Sequence, residues 1–95
     1  MKLNDLHVNH KAVSALPVFK ATEGNTIALK ILQNEQLKEH ITKTPALLVC
    51  IDGNVIFENE NGKKEVMING DYILIEANVK HGVNASLDSN LLLIK

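Results

Sequence analysis

The chain has 95 residues, enough for one domain with a core but with a high surface-to-volume ratio. Apolar residues make up 45% and charged residues 22%, the balance of a globular protein rather than a disordered one. Ten lysines against eleven carboxylates give a net charge of −1, and no arginine is present to form a bidentate fork. A nucleic-acid or phosphate clamp built on clustered basic residues is therefore excluded.

The first seven residues contain no apolar h-region, so no secretory leader is expected. No apolar run approaches the roughly 18 residues that would span a bilayer, and a cytoplasmic, membrane-free setting is expected. Leu3, Leu6, Val13 and Leu16 suit either a short N-terminal helix or an extended arm, with Val18 and Phe19 as a strand. Residues 26–32 are apolar and partly β-branched, which reads as a strand. Residues 33–39 hold good helix formers but only one apolar side chain, Leu37, so they read as an exposed loop and the start of a strand. A continuous apolar run over 46–51 ends at Asp52-Gly53-Asn54. Residues 55–57 and 65–68 flank Asn61-Gly62, a pair that favours a type I′ hairpin turn. Asn69-Gly70-Asp71 makes the next turn, and residues 72–75 and 91–94 are two more strands.

Turns recur every 8–12 residues or so, as in a sandwich or barrel. The class predicted is all-β, one domain over residues 1–95. Short strands leave unpaired edges, and these are managed by closing the sheet or by covering them in a dimer. The core is aliphatic, with two Phe, one Tyr and no Trp, so a homodimer is expected to help stability. Cys50 is the only cysteine, excludes an intrachain disulfide, and reads as a buried core thiol.

Two histidines stand out. His40 lies thirteen residues before Gly53, and His81 lies eleven residues after Gly70. Each is tied to a turn glycine and an apolar strand, an arrangement that aims an imidazole at a shared interior pocket. Neutral imidazoles are poised near pH 7 and could exchange protons, and Tyr72 could add a hydroxyl. Lys80 sits beside His81 as a rim cation. His7 and His10 read as solvated residues of the arm. Asn84 has the parity opposite to an inward strand position. There is no Ser-His-Asp order, no paired carboxylates at a motif spacing and no Gly-rich phosphate loop.

The same stretches resemble the two motifs of a small single-domain cupin. In the first, G-x5-H-x-H-x3/4-E-x6-G, the matching positions are Asn34, His40, Thr42, Ala46 and Gly53. In the second, G-x5-P-x-G-x2-H-x3-N, they are Gly70, Glu76, Asn78, His81 and Ala85. The resemblance covers roughly residues 27–94. It implies a double-stranded β-helix (jelly-roll) barrel with a pocket lined by His40, Thr42, Tyr72 and His81. The family holds a metal with three His and a Glu. This chain retains only His40 and His81 of those four, with Thr42 and Ala46 at the other two positions. A divalent transition metal (Zn, Fe, Mn or Ni) is therefore expected at low occupancy or not at all.

Three functions remain open at this point. One is a metal-poor cupin binding an unidentified small molecule. Another is a metal-dependent cupin enzyme of dioxygenase or isomerase type, completed by a ligand from elsewhere. The last is a non-catalytic structural or interaction dimer. The catalytic residues, if any, are unknown.

Overall fold

Alternation of side chains decides which face each strand buries. In the computed structural model, which describes residues 1–20 and 22–95, the chain opens with a single 3-10 turn at Leu3–Leu6. Nine strands follow among the described residues: β1 (Val13–Lys20), β2 (Asn25–Ile31), β3 (Gln36–His40), β4 (Ala46–Asp52), β5 (Val55–Asn59), β6 (Lys64–Met67), β7 (Tyr72–Ile75), β8 (His81–Ala85) and β9 (Ser89–Ile94).

The strands form two antiparallel sheets, ordered β1-β2-β9-β4-β7 and β3-β8-β5-β6. The four-strand sets β2-β9-β4-β7 and β3-β8-β5-β6 face one another in jelly-roll order, with β1 added at the edge of the larger sheet. The fold is thus all-β, as expected, but the sheets are not closed into a barrel. Edge strands β1 and β7 of one sheet and β3 and β6 of the other carry no ladder between them.

The inward positions interdigitate. Ala46, Leu48 and Cys50 of β4 meet Leu29 and Ile31 of β2, Leu91 of β9, Phe57 of β5, Met67 of β6 and Val83 of β8 in one cluster. Each fully buried Leu, Ile or Phe contributes about 1.5–3 kcal/mol relative to exposure. With no Trp and one buried Phe, aliphatic interdigitation carries the core.

Turn chemistry differs from the expectation at one place. The β5–β6 hairpin forms, but Asn61 does not adopt positive φ and only Gly62 does, at +88°. A type I′ turn needs both. Instead the Asn59 side chain accepts the N–H groups of Asn61 and Lys63, both at 3.0 Å, and the connection is a longer turn with Gly62 in the left-handed region. Two asparagines also take positive φ, Asn34 at 65° and Asn78 at 64°. Both occupy positions where the cupin motifs carry glycine. Asparagine is among the few non-glycine residues that visit this region routinely, so the backbone shape survives the changed letters.

β1 runs eight residues, longer than the two-residue strand expected at Val18 and Phe19. β8 has only Val83 and Ala85 as sizeable apolar positions, and no alternation marks it in the sequence. It forms because β3 and β5 bond to it from both sides. Among the described residues no helix is long and apolar enough to cross a membrane.

Gly53 is where a side chain is least tolerable. Its φ is +110°, and a Cβ there would lie 2.6 Å from the Ser89 Cα and 2.2 Å from its Oγ. At Gly62, φ is +88° but nothing lies within 4 Å of the place a Cβ would take. Gly53→Ala is therefore expected to cost more than about 3 kcal/mol, against about 1 kcal/mol for Gly62→Ala, where only backbone strain acts. Urea unfolding of the two variants checks the order, and equal losses would contradict it.

Candidate functional site

His40 closes β3 and His81 opens β8, and they are direct cross-strand partners. A β-bulge makes them so. Gln36 pairs with Asn84 and Leu37 with Val83, but His40 then pairs with His81. Lys38 and Glu39 together oppose Gly82, so His40 rather than Glu39 meets His81. Gly82 accommodates the crowded backbone: a Cβ there would lie 3.3 Å from the Glu39 Cγ and 3.4 Å from the Leu37 carbonyl oxygen.

The ring centroids are 4.3 Å apart with a 59° tilt. His81 is 3% exposed and lies nearly parallel to Phe57, with centroids 5.8 Å apart. Each imidazole is held by the same device. The Nδ1 of His81 pairs with the Val79 carbonyl at 3.1 Å, and the Nδ1 of His40 with the Lys38 carbonyl at 3.1 Å. A carbonyl only accepts, so each neutral ring keeps its proton on Nδ1 and its lone pair on Nε2. Among the described residues neither Nε2 meets a hydrogen-bond partner. Burial lowers the His81 pKa below the ordinary imidazole value, as does the charge of His40 when protonated, while the bond to Val79 opposes this. His81 is thereby held as a neutral acceptor.

Thr42 lies in the β3–β4 loop. Its carbonyl accepts the Asn78 N–H at 2.8 Å, which ties this loop to the one preceding His81. Its Oγ1 is buried and has no partner among the described residues. An open groove of about 630 Å³ passes beside His40 and is lined by Thr42, Lys43, Thr44, Pro45 and Lys95. Ala46 points inward at 6% exposure, so a methyl packs where the family motif has a carboxylate.

These residues do not fit the family's metal. Among the described residues no three His, Cys, Asp or Glu side chains cluster closely enough to hold an ion. A mononuclear centre ordinarily keeps three protein ligands. His40 and His81 alone would leave most of the coordination sphere to water.

Tyr72 does not join the pair. It opens β7 in the opposite sheet and is 66% exposed on the outer face. The reason is parity: Ile73 and Ile75 take the inward positions, so Tyr72 and Leu74 point out. His7 is not a solvated residue either, since its Nδ1 contacts the Ser14 Oγ at 2.7 Å and its pKa is lowered by burial and by Lys30. His10, Lys80 and Asn84 are exposed. Cys50 lies in the core, its pKa raised by burial and by Asp52 and Asp71. Phe57 as the ring under His81 and the Thr42–Asn78 tie had no signal in the sequence, because both depend on cross-strand register.

The fold places this arrangement among cupins. A cupin superfamily protein from Desulfitobacterium hafniense superposes with a TM-score of 0.85 at 12% identity, over 98% of this chain and 84% of that one. A cupin-2 domain containing protein from Shewanella frigidimarina superposes at 0.83 and 13%, over 100% of this chain and 92% of the other. An RmlC-like cupin from the same organism gives 0.80 and 13%, covering 87% and 74%. No family model matches the sequence, and no curated protein does. At these identities the likeness establishes the fold, that of a small cupin domain, and leaves the chemistry to the residues present.

The depressed pKa of His81 has a consequence for stability. The folded state favours the neutral ring, so as pH falls the unfolded chain binds its proton first, near the ordinary value of 6.5. The contribution is complete above about 6.5 and is lost as pH drops through that value toward the folded pKa. His7 acts in the same direction. The thermal midpoint is expected to fall between pH 7.5 and 5.5 in the wild type. The fall should be smaller in His81→Gln and smaller again in His7→Gln/His81→Gln. A wild-type slope unchanged in both variants would overturn this account.

Proposed function

We propose that this cupin-fold protein is a binding module for a small organic molecule bearing hydroxyl or N–H donors. The ligand is taken at the mouth formed by the end of β3, the start of β8 and the β3–β4 loop. The observation that carries this reading is the matched pair of imidazoles. Both fix Nδ1 on a backbone carbonyl and leave the Nε2 lone pair unused. Two neutral acceptors beside the buried, unpartnered hydroxyl of Thr42 call for donors from a ligand. The groove beside His40 gives such a molecule access.

Metal-dependent catalysis is the weaker reading. Ala46 removes the carboxylate and Thr42 the third imidazole, and Cys50, Tyr72 and the other histidines lie elsewhere. A transition ion at the pair would be held weakly and mainly by water. Without a metal the pair could still bind and orient a ligand, with neutral His81 accepting a hydrogen bond at Nε2.

The test combines metal content with ligand screening. Protein purified without a His tag is expected to carry far less than one transition ion per chain, even after exposure to Zn, Fe, Mn and Ni. A thermal-shift screen of sugars, polyols and small amides should yield a stabilising compound. His40→Ala and Thr42→Val are expected to weaken its binding at least about tenfold, the loss of one good hydrogen bond in a desolvated site. Near-stoichiometric metal that disappears in His40→Ala/His81→Ala would overturn the binding-module reading in favour of a metalloenzyme.

A further inference from the structure

The two sheets differ on their outer faces. On the smaller sheet the outward positions are polar or charged: Gln36 pairs with Asn84, and Glu58 lies 3.7 Å from Lys64 across the β5–β6 ladder. The larger sheet is the reverse. Its ladders align one continuous row, Leu16–Ala28–Leu92–Val49–Tyr72, over all five strands. A second row, Phe19–Thr26–Ile94–Leu47–Leu74, runs beside it. Neither row contains a charged residue. Phe19 is 64% exposed, Tyr72 66% and Leu74 68%.

A third outward row, Ser14–Lys30–Asn90–Asp52, is polar. The chain covers this one itself. Asn4 of the 3-10 turn accepts the Lys30 ammonium at 2.8 Å and the Asn90 amide at 3.4 Å, His7 contacts Ser14 at 2.7 Å, and the Asn90 amide also donates to Asp52 at 3.0 Å. The N-terminal segment thus satisfies the polar row and stops short of the two apolar ones.

We propose that these two rows are the centre of an isologous interface with a second copy of this chain, packed sheet on sheet. Independently of any ligand, three arguments favour a second copy. The first is charge. A two-fold axis brings each residue near its own equivalent or its neighbours, so any charge there would meet its like; these rows have none. The second is area. Five strands about 4.8 Å apart and two rows about 6.7 Å apart make a patch on the order of 300 Å² in plan. The apolar cleft of Met1, Leu3, Leu6, Pro17 and Val18 borders it. Patch and rim together approach the ~800 Å² per partner of a standard interface, with an apolar centre and polar margin. The third is the edges. β1 carries Pro17 and a bulge, and β7 has four residues, so strand addition at either edge of this sheet is disfavoured and the face is left as the docking surface. β9 is the central strand, which sets Leu92 and Ile94 near the axis.

Light scattering coupled to gel filtration tests this. The wild type is expected at twice the mass of one chain. Leu74→Glu and Ile94→Glu should each halve it, while Val66→Glu, an equally apolar and exposed position on the other sheet, should leave it doubled. Circular dichroism melts confirm that the variants fold. Tyr72 is the only tyrosine and there is no tryptophan, so emission reports on this face without any substitution. Acrylamide quenching of the wild type should rise on dilution through dissociation, to the level of Leu74→Glu. A single-chain mass at every concentration would overturn the proposal and assign the face to a different protein. So would a doubled mass that survives both Leu74→Glu and Ile94→Glu.

Discussion

Each strand has two faces, and the period of two along the backbone couples everything that happens on one to everything on the other. The inward set, Leu29, Ile31, Leu48, Cys50, Phe57, Met67, Val83 and Leu91, fixes the register of both sheets by burial. Once that set is inside, the outward set is no longer free. It places Leu74 and Tyr72 in solvent on the larger sheet, and Asn84 and Glu58 in solvent on the smaller. A one-residue slip in any strand would exchange the two sets, so the aliphatic core determines the surface as firmly as it determines the interior.

The histidine pair depends on a local exception to that period. β3 contributes Leu37 to the core margin, and strict alternation would then turn Glu39 toward β8 and His40 away. The bulge at Lys38 and Glu39 shifts the phase by one, and Gly82 leaves room for it. Phe57 buries one ring of the pair and the Thr42–Asn78 bond holds the two approaching loops together. The fold of a metal-binding family has therefore kept the geometry that delivers two imidazoles, while the positions that would complete an ion's coordination carry a methyl at Ala46 and a hydroxyl at Thr42. A buried imidazole kept neutral by burial and by its neighbour makes a good hydrogen-bond acceptor and, alone with one partner, a poor cage for a cation.

Much of this is legible in the sequence, for physical reasons that can be named. The runs at 46–51, 55–57 and 72–75 are apolar, short and bounded by Gly, Asn and Asp, and they are strands. The landmark spacing places His40 and His81 together even though Asn stands for Gly at positions 34 and 78, because Asn also tolerates the left-handed backbone. What the sequence hides depends on long-range register. Tyr72-Ile73-Leu74-Ile75 is apolar at every position, so nothing local says which alternate pair faces in; pairing with β4 decides it. β8 carries a His, a Gly and an Asn in five residues and is a strand only because it lies between two others. His7 reads as solvated because its partner Ser14 belongs to a strand whose extent no local pattern marks.

The division of labour on the larger sheet's outer face follows from desolvation. A polar row covered by another chain would need every group matched by that partner, since a buried donor or acceptor left unmade costs more than a formed bond returns. Here the matching is intramolecular: Asn4 and His7 meet Lys30, Asn90 and Ser14 without outside help. The apolar rows carry no such directional requirement. They gain from any close-packed apolar cover, and a second identical face provides one with the same twist and the same absence of charge. The N-terminal segment therefore does more than cap an edge: by taking up the directional bonds within the chain, it leaves for association only the part of the face that association can satisfy without them.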